Sequence, residues 1–398
     1  MKNSGKASES AYGELGVSAT KAGLHSALGA SGLPSHNEFF IELKKDISAN
    51  PQYSSFLHSD GAGTKGIVAY LVARETGERE VYSHLADDAL VMNTDDVLTV
   101  GIPEALLVGN TIQRNARLIE DEVLTVVIRR YLNLCEMLTN LGIPTTFAGG
   151  ETADCGDVVR TVLIDAVISG RIANDSLIST KNIVPGDVIV GLSSTGQASY
   201  ELAPNSGIGA NGLTLARHSL LSSELAKRYP EIVDPSLSER GVSYRGPFGV
   251  TDKPKALGMT VGTALSSPTR MYAPVLVNIY RELRGRIHGA IHCTGGGQTK
   301  VLRFGEGNRY VKDNLFDVPP LFALIQQHGE IKWREMYQVF NMGHRFELYL
   351  KEEDASAVIE IAKSFSVAAR VVGRVEPSSA KHNQVVLKTK FGVFEYTL

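Results

Sequence analysis

The clearest pattern of apolar and polar positions lies in residues 119–141, where Ile119, Val123, Val127, Tyr131, Leu134, Leu138 and Leu141 recur at three- and four-residue intervals. That spacing places them on one face and predicts an amphipathic helix. Residues 67–74 and 85–100 also read as helices, and residues 37–48 as a short one. β-Branched and apolar runs predict strands at 54–58, 105–110 and 158–168, with 145–148 leading into a glycine pair. Pro185 and Gly186 then break the pattern. The boundary falls between residues 172 and 186, giving a first domain of 1–178 and a second of 179–398. The second half predicts a strand at 187–192, a long glycine-rich loop, helices at 213–221 and 269–283 and a strand at 286–293. Helices at 321–328 and 335–341, a strand at 346–350, a helix at 355–365 and three short strands complete it. Strands that do not alternate strictly with helices predict an α+β architecture in both domains. Residues 1–35, rich in Gly, Ser and Ala, read as a loosely structured lead-in.

Composition narrows the function. The chain has 398 residues, 40 Lys or Arg against 43 Asp or Glu, and 43% hydrophobic residues. Two globular domains with their own cores fit that length, and a net charge of −3 gives no electrostatic case for a nucleic-acid partner. The apolar runs are too short to span a bilayer, and the first ten residues lack the apolar stretch of a signal peptide. Cys135, Cys155 and Cys293 form no CxxC pair, so neither a disulfide framework nor a thiolate zinc site is expected. The expectation is a cytoplasmic protein with no membrane partner. Glycine, at 39 residues, is in excess and clustered at 61–66, 149–150, 207–212 and 295–297. Such clusters let backbone approach a ligand closely, which favours phosphates or nucleotides.

The chemistry concentrates in an acidic stretch. Between Arg79 and Arg114 there is no Lys or Arg, yet Asp87, Asp88, Asp95 and Asp96 lie there. Asp88 and Asp95 are seven residues apart and share a helix face, where like charges repel. Asp60 ends a predicted strand inside a glycine turn, and Glu151 follows Gly149 and Gly150 at the end of another. Carboxylates so placed suit a Mg²⁺–nucleotide site, because Mg²⁺ takes hard oxygen ligands and phosphate oxygens; Lys65 could then neutralise phosphate charge. A solvated acidic helix face with capping aspartates is the alternative. Two GxGxxG sequences, at 61–66 and 207–212, lack the context of a dinucleotide fold. Asp60 would repel a bare pyrophosphate, and the second lies far from a strand end. No Walker A, GxSxG, HExxH or kinase catalytic-loop motif is present.

The blocks DGAGTK (60–65), DALVMNTDD (88–96), AGGETAD (148–154), SSPTRMY (266–272), HCTGGG (292–297) and FNMG (340–343) together resemble the aminoimidazole ribonucleotide synthetase family. The resemblance spans nearly the whole chain. It implies a two-domain PurM-like fold, α+β, whose first domain forms a dimeric barrel-like sheet with its mate and whose second α+β domain binds substrate. It implies ATP and Mg²⁺ as cofactors and a homodimer. It also implies ring closure of formylglycinamidine ribonucleotide in purine biosynthesis. Carried over residue by residue, Asp60, Asp88, Asp96 and Glu151 would hold metal. Asp60, Gly61, Gly63, Thr64, Lys65, Gly149, Gly150, Glu151 and Thr152 would bind ATP, and Asn211, Gly212, Arg270, Thr294, Gly295, Gly296 and Gly297 the ribonucleotide. The reaction needs a proton acceptor at the attacking nitrogen, and His292 is the candidate base, since histidine titrates near neutrality; a structural histidine is the alternative. Residues 294–297 read as a nest of N–H groups for the substrate phosphate or as a tight turn. Arg270 reads as a bidentate phosphate grip or an ion pair. The family's histidine-containing block after the first strand of the second domain has no counterpart in 195–213 beyond Asn211 and Gly212; His218 lies further on. Rival readings are another phosphoryl-transfer enzyme of this superfamily, resembling thiamine-phosphate kinase or the hydrogenase maturation factor, and a non-catalytic nucleotide-binding protein.

Overall fold

The computed structural model describes residues 10–18, 27, 38–380 and 382–398. Most of the lead-in over 1–35 lies outside these; within it, Ala11–Glu14 form one helical turn. The first sheet has five strands, β1 (Lys44–Lys45), β2 (Tyr53–Gly61), β3 (Leu106–Arg114), β4 (Thr145–Asp154) and β5 (Val162–Ala173). Their order is β1-β2-β5-β3-β4, antiparallel except where β4 runs parallel to β3. The strands run further than their apolar cores suggest, and β4 passes straight through Gly149 and Gly150 with a register shift opposite Gly109.

Helices α1 (Lys65–Thr76), α2 (Ser83–Leu98) and α3 (Asp121–Asn140) belong to this half. On α3 the predicted stripe is buried, from Val123 through Leu138, while Leu132 on the other side is exposed. Helix α2 packs against β2, β5 and α3 and also touches the strand Ile287–His292 and the helix Ala273–Glu282 of the second half. It is therefore buried on every side, its four aspartates included, which overturns the alternative of a solvated acidic face. The other face of the sheet is open: Leu57 on β2 is 72% exposed and Leu107 on β3 is 55% exposed.

The second sheet is built from β6 (Val188–Ser193), β7 (Ile287–His292), β8 (Asn308–Lys312), β9 (His344–Leu350), β10 (Ala369–Pro377), β11 (Gln384–Thr389) and β12 (Gly392–Thr397). The order is β12-β11-β8-β10-β6-β9-β7. Helices α4 (Leu213–Leu220), α5 (Ala273–Glu282), α6 (Pro320–Gly329), α7 (Trp333–Val339) and α8 (Glu352–Ser364) accompany it. Leu192 pairs with Phe346 but Ser193 with His344, so Arg345 is the extra residue of a β-bulge. Bulges re-aim side chains beside functional sites, and this one turns Arg345 toward the first half.

Two expectations are corrected. Among the described residues, 38–48 form no helix. The Asp46 carboxylate accepts from the Ser48 and Asn50 N–H groups and from the Ser55 hydroxyl, a side-chain-to-backbone turn that competes with helix. The helix expected from 269 begins only at Ala273, because Pro274 has no N–H to close a turn on the Arg270 carbonyl; the Thr269 and Tyr272 N–H groups are taken by Asp88 and Asp95. Among the described residues neither sheet closes on itself.

Candidate active site

Every aspartate of α2 is buried, and each has found a positive or donating partner, as an ionised carboxylate in a dry interior must. Arg130 of α3 holds Asp87 with two bonds, at 2.9 and 2.6 Å. One oxygen of Asp88 accepts from Lys65 Nζ at 2.6 Å, and from the Thr269 N–H and hydroxyl; the other oxygen is buried with no protein partner. The Lys65 ammonium also donates to the Ser267 carbonyl at 2.6 Å. Burial pushes Lys65 below its usual range and Asp88 above its own, each against the opposing pull of the other's charge. Asp95 accepts from the Tyr272 N–H and from Arg345; burial pushes its carboxyl up to about 6 against the pull of His292 and Arg345. Asp96 takes His292 Nδ1 at 2.6 Å on one oxygen and His58 Nε2 at 3.1 Å on the other.

These contacts revise several assignments. Lys65 is fully buried and joins the first half to residues 267–269; it does not point at a phosphate. His292 is also fully buried. With Nδ1–H given to Asp96, its Nε2 lone pair accepts from Arg345 Nε–H at 3.0 Å, and burial pushes its pKa down to about 3. It is a neutral, doubly bonded imidazole with no lone pair left to receive a proton. Arg270 has five N–H donors and all five are engaged, by both oxygens of Glu201 and the carbonyls of Ser193, Thr195 and Gly196. The phosphate grip gives way to the ion-pair reading, and Arg270 fixes the 193–196 turn. Asp96 has both oxygens on imidazoles.

Other positions do face outward. Asp60, Gly63 and Thr64 are exposed at the N-terminal end of α1, where N–H groups and the helix dipole favour an anion. Gly63 has φ +54°. A Cβ on Gly61 would lie 1.7 Å from an Asp165 carboxylate oxygen, so only glycine fits beside that side chain. Glu151 and Thr152 are exposed on edge strand β4. Across one row of the sheet run Gly61, Asp165, Thr111 and Glu151, so Glu151 is three strands, about 14 Å, from the DGAGTK turn; one chain does not bring them together. In the second half, Gly212 (φ +79°) begins α4, and Gly296 and Gly297 have φ +104° and +50°. The Gly297 N–H closes the 294–297 turn on the Thr294 carbonyl at 2.9 Å. Asn211, Gly295 and Gly296 are half-buried beside them. No three His, Cys, Asp or Glu side chains among the described residues form a ready cage for a metal.

Sequence reasoning passed over His58, Asp165 and Arg345, and gave Asp95 no role beyond its place in the acidic stretch. His58 had a signal, being two residues before Asp60 on the same strand. Asp165 had one too, as a lone charge within an apolar strand run.

Comparison with known proteins finds relatives over most of the chain. Residues 184–385 match the family model described as AIR synthase related protein, C-terminal domain. The chain is 30% identical over 337 residues to a phosphoribosylformylglycinamidine cyclo-ligase of Methanocaldococcus jannaschii, covering 84% of this chain and 82% of the relative. It is 27% identical over 322 residues to the Thermoplasma acidophilum protein of the same name, covering 81% and 80%. Among solved structures, AaThiL complexed with AMPPCP and TMP superposes with a TM-score of 0.53 at 12% identity, covering 94% of this chain and 96% of that one. Phosphoribosylformylglycinamidine synthase II from Thermotoga maritima gives 0.50 at 14% identity, covering 97% and 50%. At such identities the likeness is one of fold.

The burial of Lys65 makes a direct prediction. Lys65→Met leaves Asp88 charged and unpaired in the interior and should lower unfolding free energy by about 3–5 kcal/mol in urea titrations. A loss under about 1 kcal/mol would contradict the pairing described.

Proposed function

The chain belongs to the family of phosphoribosylformylglycinamidine cyclo-ligases, and we propose that it catalyses the ATP-dependent ring closure of formylglycinamidine ribonucleotide. The products are aminoimidazole ribonucleotide, ADP and phosphate, in de novo purine biosynthesis. The observation that carries this reading is the meeting, across α2, of the DGAGTK turn and the HCTGGG strand end: Asp88 holds Lys65 and Asp96 holds His292. Ring closure expels an amide oxygen, a poor leaving group until ATP phosphorylates it. The amine that displaces the phosphate belongs to the same molecule, so placement supplies much of the acceleration. The exposed start of α1, with Gly63 and Thr64, is suited to the ATP phosphates. Residues 294–297 with Asn211 and Gly212 are suited to the ribonucleotide.

The donors suit Mg²⁺. Burial, and after it the charge of Asp60, push the Asp165 carboxyl up, and one oxygen of Asp88 has no protein partner. Asp60, exposed at the end of β2, would hold the ion together with phosphate oxygens. When bound, Mg²⁺ neutralises charge on the transferring phosphoryl group. For the proton we assign His58. It is half-buried beside Asp60, is oriented by Asp96, and burial pushes its pKa down, toward the neutral form a base requires.

A second copy completes the reading. The open sheet face with Leu57 and Leu107 is suited to face its equivalent, building a barrel-like pair. Such a pairing would bring Glu151 of the partner subunit toward Asp60, which the 14 Å separation forbids within one chain. No helix among the described residues is long and apolar enough to cross a membrane, and a cytoplasmic location is part of the proposal.

Two experiments test this. Purified protein with Mg·ATP and formylglycinamidine ribonucleotide should give aminoimidazole ribonucleotide, read by diazo coupling, in step with ADP. Asp60→Asn and His58→Asn should each lower kcat by about 100-fold or more; a folded wild-type protein that forms no product with all three components contradicts the assignment. In sedimentation velocity the wild type should run as a dimer, and the Leu57→Asp, Leu107→Asp double variant as a monomer with little ATP turnover. A monomeric wild type of full activity would remove the second copy from the account.

A further inference from the structure

A second buried polar network lies within the second half, on the far side of β9 from Arg345. Lys312 on β8 and Glu347 on β9 form a fully buried ion pair, Nζ to Oε1 at 2.5 Å. The remaining Lys312 protons go to Gln298, to its main-chain carbonyl at 2.8 Å and its side-chain oxygen at 3.2 Å. Glu347 also accepts from His344 Nε2 at 2.8 Å and the Tyr349 hydroxyl at 2.6 Å. Burial would push the Glu347 carboxyl up, but Lys312 and His344 outweigh it and hold it at about 2.

The network reaches the loops that carry the candidate substrate residues. The Gln298 amide donates to the Asn341 carbonyl at 2.6 Å and the His344 carbonyl at 3.2 Å. The Asn341 side chain accepts from the Ser194 hydroxyl at 2.8 Å and donates to the Gly207 carbonyl at 2.7 Å. Gln298 follows directly on residues 294–297. Gly297 is seated so closely that a Cβ would lie 2.5 Å from the Phe340 carbonyl oxygen. Turn 193–196, loop 207–212 and turn 294–297 are thus tied to one hub.

A buried ion pair adds little stability over apolar residues of similar volume, whereas a satisfied polar network fixes geometry. We propose that Lys312 and Glu347 are positioning residues, which hold Gln298 and, through Asn341, set loops 207–212 and 294–297 at the spacing the ribonucleotide requires. The functional half of this claim rests on the cyclo-ligase reading; the structural half does not.

The test is the Lys312→Met, Glu347→Leu double variant, which removes both charges together. Amide exchange at 207–212 and 295–298 should accelerate at least tenfold while α2 and β2 to β5 keep wild-type protection. KM for formylglycinamidine ribonucleotide should rise about tenfold and KM for ATP stay within twofold. Gln298→Met, which leaves the ion pair intact, should show the same split and carries the test if the double variant does not fold. Unchanged exchange in both loops overturns the proposal, as does an equal rise in both KM values or a ribonucleotide KM that does not move. If the wild type turns over no ribonucleotide, the cyclo-ligase reading fails, while the exchange result still decides whether the pair positions the loops.

Discussion

The structure depends on keeping four carboxylates charged inside a helix that water does not reach. Burying an ionised carboxylate is expensive unless a partner comes with it, and α2 buries Asp87, Asp88, Asp95 and Asp96. Only Asp87 is served wholly from its own half, by Arg130. Asp88 needs Thr269 as well as Lys65, Asp95 needs Tyr272 and Arg345, and Asp96 needs His292 as well as His58. Moving the second half away would strip three buried charges of partners. The candidate site therefore sits at a joint that cannot open cheaply.

That constraint divides the polar residues into two kinds. Lys65, Arg270, His292 and Arg345 are spent on protein groups and shape the site. Asp60, Thr64 and Glu151, on strand ends and edges, remain exposed to meet a ligand. Reactive and positioning groups are thus adjacent in sequence, as in the DGAGTK turn, yet differ in burial.

Much of this was legible in the chain. The α3 stripe at Val123, Val127, Tyr131, Leu134 and Leu138 announced its helix because one face alone is buried. The glycine clusters at 61–66, 207–212 and 295–297 announced turns, because backbone at positive φ or in close contact leaves little choice of residue, whereas the pair at 149–150 lies within β4. The acidic stretch of α2 left a solvated face open as an alternative, since a helix buried all round shows no polar stripe to tell buried aspartates from surface ones. Lys65 and Arg270 misled for a related reason: a cation's partner lies far along the chain, Asp88 in one case and Glu201 in the other. The partners of Arg345 follow from a bulge in β9 that no local pattern marks. The helix expected over 37–48 failed because Asp46 bonds its own neighbours.

The central claim is that α2 welds the two sheets into one unit. Equilibrium unfolding in urea, followed by the fluorescence of Trp333 in the second half and by amide exchange of β2 and β5 in the first, tests it most directly. The account predicts coincident transitions with one midpoint, since neither half can neutralise α2 alone. Separate midpoints, with β2 and β5 still protected after the Trp333 signal is lost, would contradict it.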